Sequence, residues 1–387
     1  MKRSTSEVAA SGRDTDLDDY RALALIWVLL VHCLYFTGIV AARWNVPKSF
    51  LLVEMPIIFF VAGAVNGRGR ARGLGSFYSS RLSRIMIPFW VFAAVCLALQ
   101  AWKFPHWDKP FDVRWIVPNE PPESPLAPVS WHLWFVPVYL SVMALFPLLR
   151  SAYERLSTWR WAPVVLLSAV LITFDHYGFR REYPRQVVFY SLWVYLGLFH
   201  ARWKARPWPR RAVLAVALGA YGTLWGMIAS GRYQSDFQWN KFPPNAAFLM
   251  LSVGHVALLS LAAPWIGACV RHPLARRLTA PYKSYGYTIY LFHAVVLAGL
   301  STVFERWPAT QEWSKAHDVA AIALLFPALT LLSPVVAWPF AFAERFRLGT
   351  PPRAVAPGRL DAPHAFPALV RLRRVVGMRR DRKDAPR

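Results

Sequence analysis

Cysteine is scarce in this chain, with 3 in 387 residues. Cys33, Cys96 and Cys269 fall inside apolar runs, in odd number and at no metal-ligand spacing, so neither a disulfide framework nor a metal site is implied. Acidic residues are few as well: 21 Asp and Glu stand against 45 Lys and Arg, for a net charge of +24. A basic chain invites nucleic acid as a partner, but no nucleic-acid-binding motif is present and the cations punctuate apolar blocks. Internal repeats are absent, which removes solenoids and propellers. The opening stretch MKRSTSEVAASGRDTD has no apolar core before Leu17, so it does not read as a cleaved signal peptide.

Apolar residues make up 56% of the chain, mean hydropathy is +0.28, and there are 19 Trp and 25 Phe. That is too apolar for one water-soluble core of this length. The apolar residues fall in about ten blocks long enough for membrane helices, near 22–40, 50–66, 86–102, 131–149, 161–175, 186–200, 211–229, 245–268, 285–304 and 318–342. The fifth and sixth are short. With the N-terminus cytoplasmic, most of the 45 Lys and Arg fall in inside segments, the asymmetry expected of an all-α polytopic bundle with both termini inside. The chain divides into a cytoplasmic segment (1–20), a membrane domain (21–342) and a basic tail (343–387), which reads as disordered and suited to an anionic inner leaflet.

Several ionisable residues sit where they are expensive. His32 follows Arg21 by eleven positions, which places it about 16 Å deeper and about 20° round the same helix face. A membrane-embedded imidazole either packs against a neighbouring helix or faces a functional cavity. His293, in the ninth block, falls at a comparable depth. Glu54, near the outer end of the second block, either reaches the interface or lines a pocket open to the outside. Arg81 and Arg84 share a face where the third block leaves the cytoplasmic surface, suited to lipid headgroups or to the phosphates of a ligand at a helix N-terminus. His132 lies between Trp131 and Trp134 at the start of the fourth block. There the indoles serve as an aromatic belt or as faces for sugar rings. His255 reads as structural. The seven prolines of the loop from Lys103 to Ser130 exclude a regular helix and leave an outer loop able to cover a pocket mouth.

The ordered series LDDYRALALIWVLLVH, PIIFFVAG, SFYSSRLSRIMIPFW, WHLWFVPVYL and SYGYTIYLFH resembles the membrane acyltransferase-3 family over roughly residues 16–342. The resemblance implies transfer of an acyl group, usually acetyl, from acyl-CoA on the cytoplasmic side to a hydroxyl of a glycan, glycolipid or other cell-envelope acceptor. No bound cofactor is implied; acetyl-CoA or another acyl-CoA is the co-substrate, and the setting is the plasma (inner) membrane. The family's Arg-x10-His motif falls on Arg21 and His32, and its Arg-x-x-Arg motif on Arg81 and Arg84. The fused esterase-like domain of some members has no counterpart in the tail.

The residues fit that chemistry in named roles. His32 with Arg21 would be catalytic, Arg81 and Arg84 would bind the donor, and Glu54, His132, Trp134 and His293 are candidates for an acceptor pocket. An imidazole with an ordinary pKa near 6.5 suits a general base, and an acyl-histidine intermediate is the alternative. A proton-coupled transporter or lipid flippase is the competing function class, weakened by the absence of a repeat or of matching broken helices. A member of the other polytopic acyltransferase family would instead place the base on His293.

Overall fold

Each apolar block becomes a helix because a backbone withdrawn from water must satisfy its own N–H and C=O groups. The computed structural model describes residues 15–68, 73–109, 111–306 and 308–346, and among them there is no β-strand. The N-terminal segment to Asp14 and the basic tail from Arg347 lie outside the described residues. The main helices are α1 (Thr15–Phe36), α2 (Glu54–Gly67), α3 (Leu74–Lys103), α4 (Phe135–Arg155), α5 (Ala162–His176), α6 (Glu182–Gly197), α7 (Arg210–Ala229), α8 (Ala246–Arg271), α9 (Pro273–Arg306) and α10 (Asp318–Ala337). A 3-10 helix, Trp338–Arg345, closes the described chain and packs on α3 and α9. The protein is an all-α polytopic membrane protein.

Among the described residues, eight helical segments are long and apolar enough to cross a membrane. The exceptions among the main helices are α5 and α6, of 15 and 16 residues, about 22–24 Å of helix against a hydrocarbon core of about 30 Å. Burial explains the sequence of α6. It packs against α2, α4 and α5, and Arg185, Gln186 and Ser191 are buried along it beside Phe189, Tyr190 and Trp193. Two facing glycines set its approach to α2: a Cβ at Gly63 would overlap the backbone of Val194, and one at Gly197 would overlap that of Phe60. Small residues at such a crossing let backbones meet.

The polar connections between helices are more ordered than their composition suggests. Asp175, at the end of α5, is buried against Arg185 of the next helix; it also accepts from Tyr233 Oη at 3.1 Å and the Ala246 amide at 2.8 Å. The Pro-rich loop is stapled by Arg114, which pairs with Asp112 at 2.7 Å and Glu123 at 3.0 Å. It seats Trp115, fully buried, against Phe92 of α3. At the opposite end of the bundle Asp16 pairs with Lys204 at 2.7 Å, so the start of α1 and the α6–α7 connection lie on one side.

Candidate active site

Arg21 and His32 face the same neighbour, as their spacing predicts. Arg21 Nη2 donates to the Lys283 carbonyl at 2.9 Å, and His32 Nδ1 lies 2.6 Å from His293 Nε2. Both partners are on α9, ten positions apart, so α1 and α9 run parallel over this stretch. His32 stands one turn before the end of α1 at Phe36, nearer the C-terminal end of that helix than its middle.

Hydrogen-bond roles in the pair follow from a single carbonyl. His293 Nδ1 contacts the Tyr290 carbonyl, which can only accept, so Nδ1 carries the proton of a neutral imidazole and Nε2 has the lone pair. The bond to His32 then takes its hydrogen from His32 Nδ1. That leaves His32 Nε2 unprotonated, the form a base or nucleophile requires. The chain Tyr290 carbonyl, His293, His32 selects one tautomer from two.

His132 completes a group of three. The Trp–His–Leu–Trp segment reads as an interfacial belt, but the residues 131–134 form a 3-10 turn at the head of α4, which rotates His132 inward while Trp131 stays exposed. Its ring centroid lies 5.2 Å from that of His293 and 6.3 Å from that of His32. The Val129 and Leu291 carbonyls are near it, yet among the described residues neither ring nitrogen makes a hydrogen bond of good geometry. The close approach within the group is between nitrogens at hydrogen-bond separation, and among the described residues no set of His, Cys, Asp or Glu is arranged to hold a metal ion.

Glu54 is buried and pairs with Lys241, from the connection between α7 and α8, at 2.5 Å, the two side chains being 2% and 3% exposed. Among the described residues, its second carboxylate oxygen has no hydrogen-bond partner, nor has the hydroxyl of the fully buried Tyr190. Glu54 is in electrostatic contact with both Tyr190 and Tyr290, and Lys241 with His32. Trp134, half-buried, borders this region edge-on to Phe242 at 5.2 Å. The acceptor-pocket candidates Glu54, His132, Trp134 and His293 therefore lie in one connected region beside His32.

Arg81 and Arg84 lie apart from it. Helix α3 begins at Leu74, earlier than the apolar block alone indicates, so both arginines are two turns or more inside the helix and its free N–H groups do not reach them. Arg81 bonds Asn66 Oδ1 of α2. Arg84 and Arg21 both lie within electrostatic reach of Glu344, on the closing 3-10 helix, whose Oε1 accepts from the Thr288 amide at 2.6 Å and the Thr288 hydroxyl at 2.8 Å. Lys241 and Glu344 are the residues sequence reasoning passes over. The one available signal for Lys241 is its place between aromatics in FQWNKFPPN.

The acyltransferase domain model Acyl_transf_3 matches residues 14–342. No curated protein and no solved structure shows a significant match to the chain. The chain belongs to the acyltransferase-3 family and is a membrane acyltransferase.

Proposed function

We propose that this member of the acyltransferase-3 family transfers an acyl group, acetyl first among candidates, from cytoplasmic acyl-CoA to a hydroxyl of a glycan, glycolipid or other envelope or exported acceptor. The observation that carries the reading is the His32–His293 pair, whose hydrogen bonding leaves His32 Nε2 as an unprotonated base. In the proposed step Nε2 takes the proton of the acceptor hydroxyl as its oxygen bonds to the thioester carbonyl carbon. The carbon–sulfur bond breaks, and the proton passes to the departing CoA thiolate.

Arg81 and Arg84 hold the donor's phosphates by charge and by their planar forks, without help from a helix end. His32 is about 16 Å deeper than the Arg21 level, a span suited to the long flexible arm of CoA reaching inward from the cytoplasmic side. Glu54, His132 and Trp134 bound the acceptor's side, where unpartnered buried polar atoms favour a hydroxyl-bearing guest. The reading places the protein in the plasma membrane with both termini cytoplasmic, in accord with the charge distribution of the connecting segments.

The test is acetyl-CoA turnover by purified His32→Ala protein, with and without acceptor-bearing membrane extract. Loss of transfer by a factor of about 10²–10⁴, the usual contribution of a positioned base, with unchanged insertion and monodispersity, is the expected result. Full activity in a folded His32→Ala variant refutes it.

A further inference from the structure

Helix α9 is broken, and the break has a clasp on each side. At Tyr285 the backbone leaves helical geometry, with φ −139° and ψ 44°. In an unbroken helix the Thr288 amide would bond the Ser284 carbonyl; here it donates to Glu344 Oε1 at 2.6 Å, and the Thr288 hydroxyl donates to the same oxygen at 2.8 Å. On the N-terminal side the Lys283 carbonyl takes the Arg21 Nη2 donor at 2.9 Å, and Lys283 Nζ pairs with Asp19. Backbone groups freed within a bilayer are expensive, and broken helices persist there where other groups satisfy them. Gly286 lies against α1 at the break, its nearest neighbour there being the end of the Leu25 side chain.

The break lies just before the catalytic pair. From Thr288 to His293 is about 7.5 Å along the helix axis, and Tyr290, whose carbonyl fixes the His293 tautomer, lies between them. Regular dihedrals at Tyr285 would change both the direction and the phase of everything after it. The 2.6 Å bond from His32 to His293 does not survive such a change.

We propose that Glu344 is a positioning residue for acyl transfer: with Arg21 it clasps the break in α9 and so sets where His293 meets His32. The proposal rests on the acyl-transfer reading above. The competing role is electrostatic, because Arg21 and Arg84 both act on the same carboxylate; on that account Glu344 balances or tunes a donor-phosphate site through its charge.

Two conservative variants separate the roles in the full-length protein in detergent. Glu344→Gln keeps the reach of Oε1 to Thr288 and loses the charge, whereas Glu344→Asp keeps the charge and is one methylene short. Positioning predicts near-normal turnover for Glu344→Gln. For Glu344→Asp it predicts a fall in kcat of about a hundredfold, the size of loss that a misplacement of about 1 Å can produce, with acetyl-CoA affinity unchanged. The low-field imidazole N–H proton signal of the His32–His293 bond, identified by its loss in His293→Phe, should persist in Glu344→Gln and vanish in Glu344→Asp. The reverse order of the two variants, wild-type behaviour of both, or a change confined to acetyl-CoA affinity overturns the proposal. The proton signal does not depend on turnover, so failure of the acyl-transfer reading, seen as an active His32→Ala protein, is told apart from failure of the clasp.

Discussion

The Glu54–Lys241 pair offers a quantitative test of how the bundle around the histidine group is held. Its charges are 2.5 Å apart and almost wholly shielded from solvent, so neither has water to fall back on if the other is removed. At an effective dielectric constant of 20 two unit charges 4 Å apart attract by about 4 kcal/mol, and losing one partner of a buried pair typically destabilises by about 3–5 kcal/mol. Glu54→Gln leaves the ammonium against one amide oxygen and the Phe242 ring, 5.5 Å from its centroid. Lys241→Met leaves a carboxylate whose second oxygen already lacks a partner. Each single change should therefore lower unfolding stability by about 3–5 kcal/mol, while the combined replacement, which buries no net charge, should recover most of the loss. Thermal unfolding in one detergent, followed by tryptophan fluorescence for wild type, both single variants and the double variant, completes the cycle. Single variants within about 0.5 kcal/mol of wild type and strictly additive, as independent surface sites behave, would refute the reasoning.

Arg81→Lys or Arg84→Lys keeps the positive charge but removes the bidentate fork; either change should weaken acetyl-CoA binding in titration calorimetry and leave acceptor affinity alone, and wild-type donor binding in both would move the donor site elsewhere. The loop stapled by Arg114 should be sensitive to acid. Burial opposes ionisation of Asp112, but the Arg114 side chain and the Arg114 and Glu123 amides outweigh it and hold its pKa below the usual carboxylate value, while Lys109 and then Arg114 do the same for Glu123. Carboxylates depressed on folding stabilise above their unfolded pKa values, about 3.9 for Asp and 4.3 for Glu, and that contribution is lost as pH falls through the lower folded values. Hydrogen exchange at the Trp115 and Ile116 amides, corrected for intrinsic rates, should show protection unchanged from pH 7 to 5 and lost below about pH 4; loss already near pH 6 would mean that other groups hold the loop.

What the sequence made legible here, and what it hid, follow one physical rule. Helices are local, so the apolar blocks announce them, and the eleven-residue spacing of Arg21 and His32 announces a shared face that α9 then occupies. The start of α3 was hidden because its first three turns are polar, as helix outside the hydrocarbon is free to be, and with it went the placing of Arg81 and Arg84 at a helix end. The inward turn of His132 was hidden for a different reason: belt and buried ring share the same local sequence, and only the 3-10 geometry of residues 131–134 decides between them. Lys241 and Glu344 were beyond local reading altogether, since each acquires its role from a partner far along the chain, Glu54 in one case and Thr288 in the other. Yet each meets a need that local sequence does state. A carboxylate in an apolar helix requires a counter-charge, and a helix broken at Tyr285, between Pro281 and Gly286, requires donors and acceptors from elsewhere for its freed backbone. In a membrane protein, an unmet polar demand in one helix is therefore a prediction that a distant residue exists to meet it.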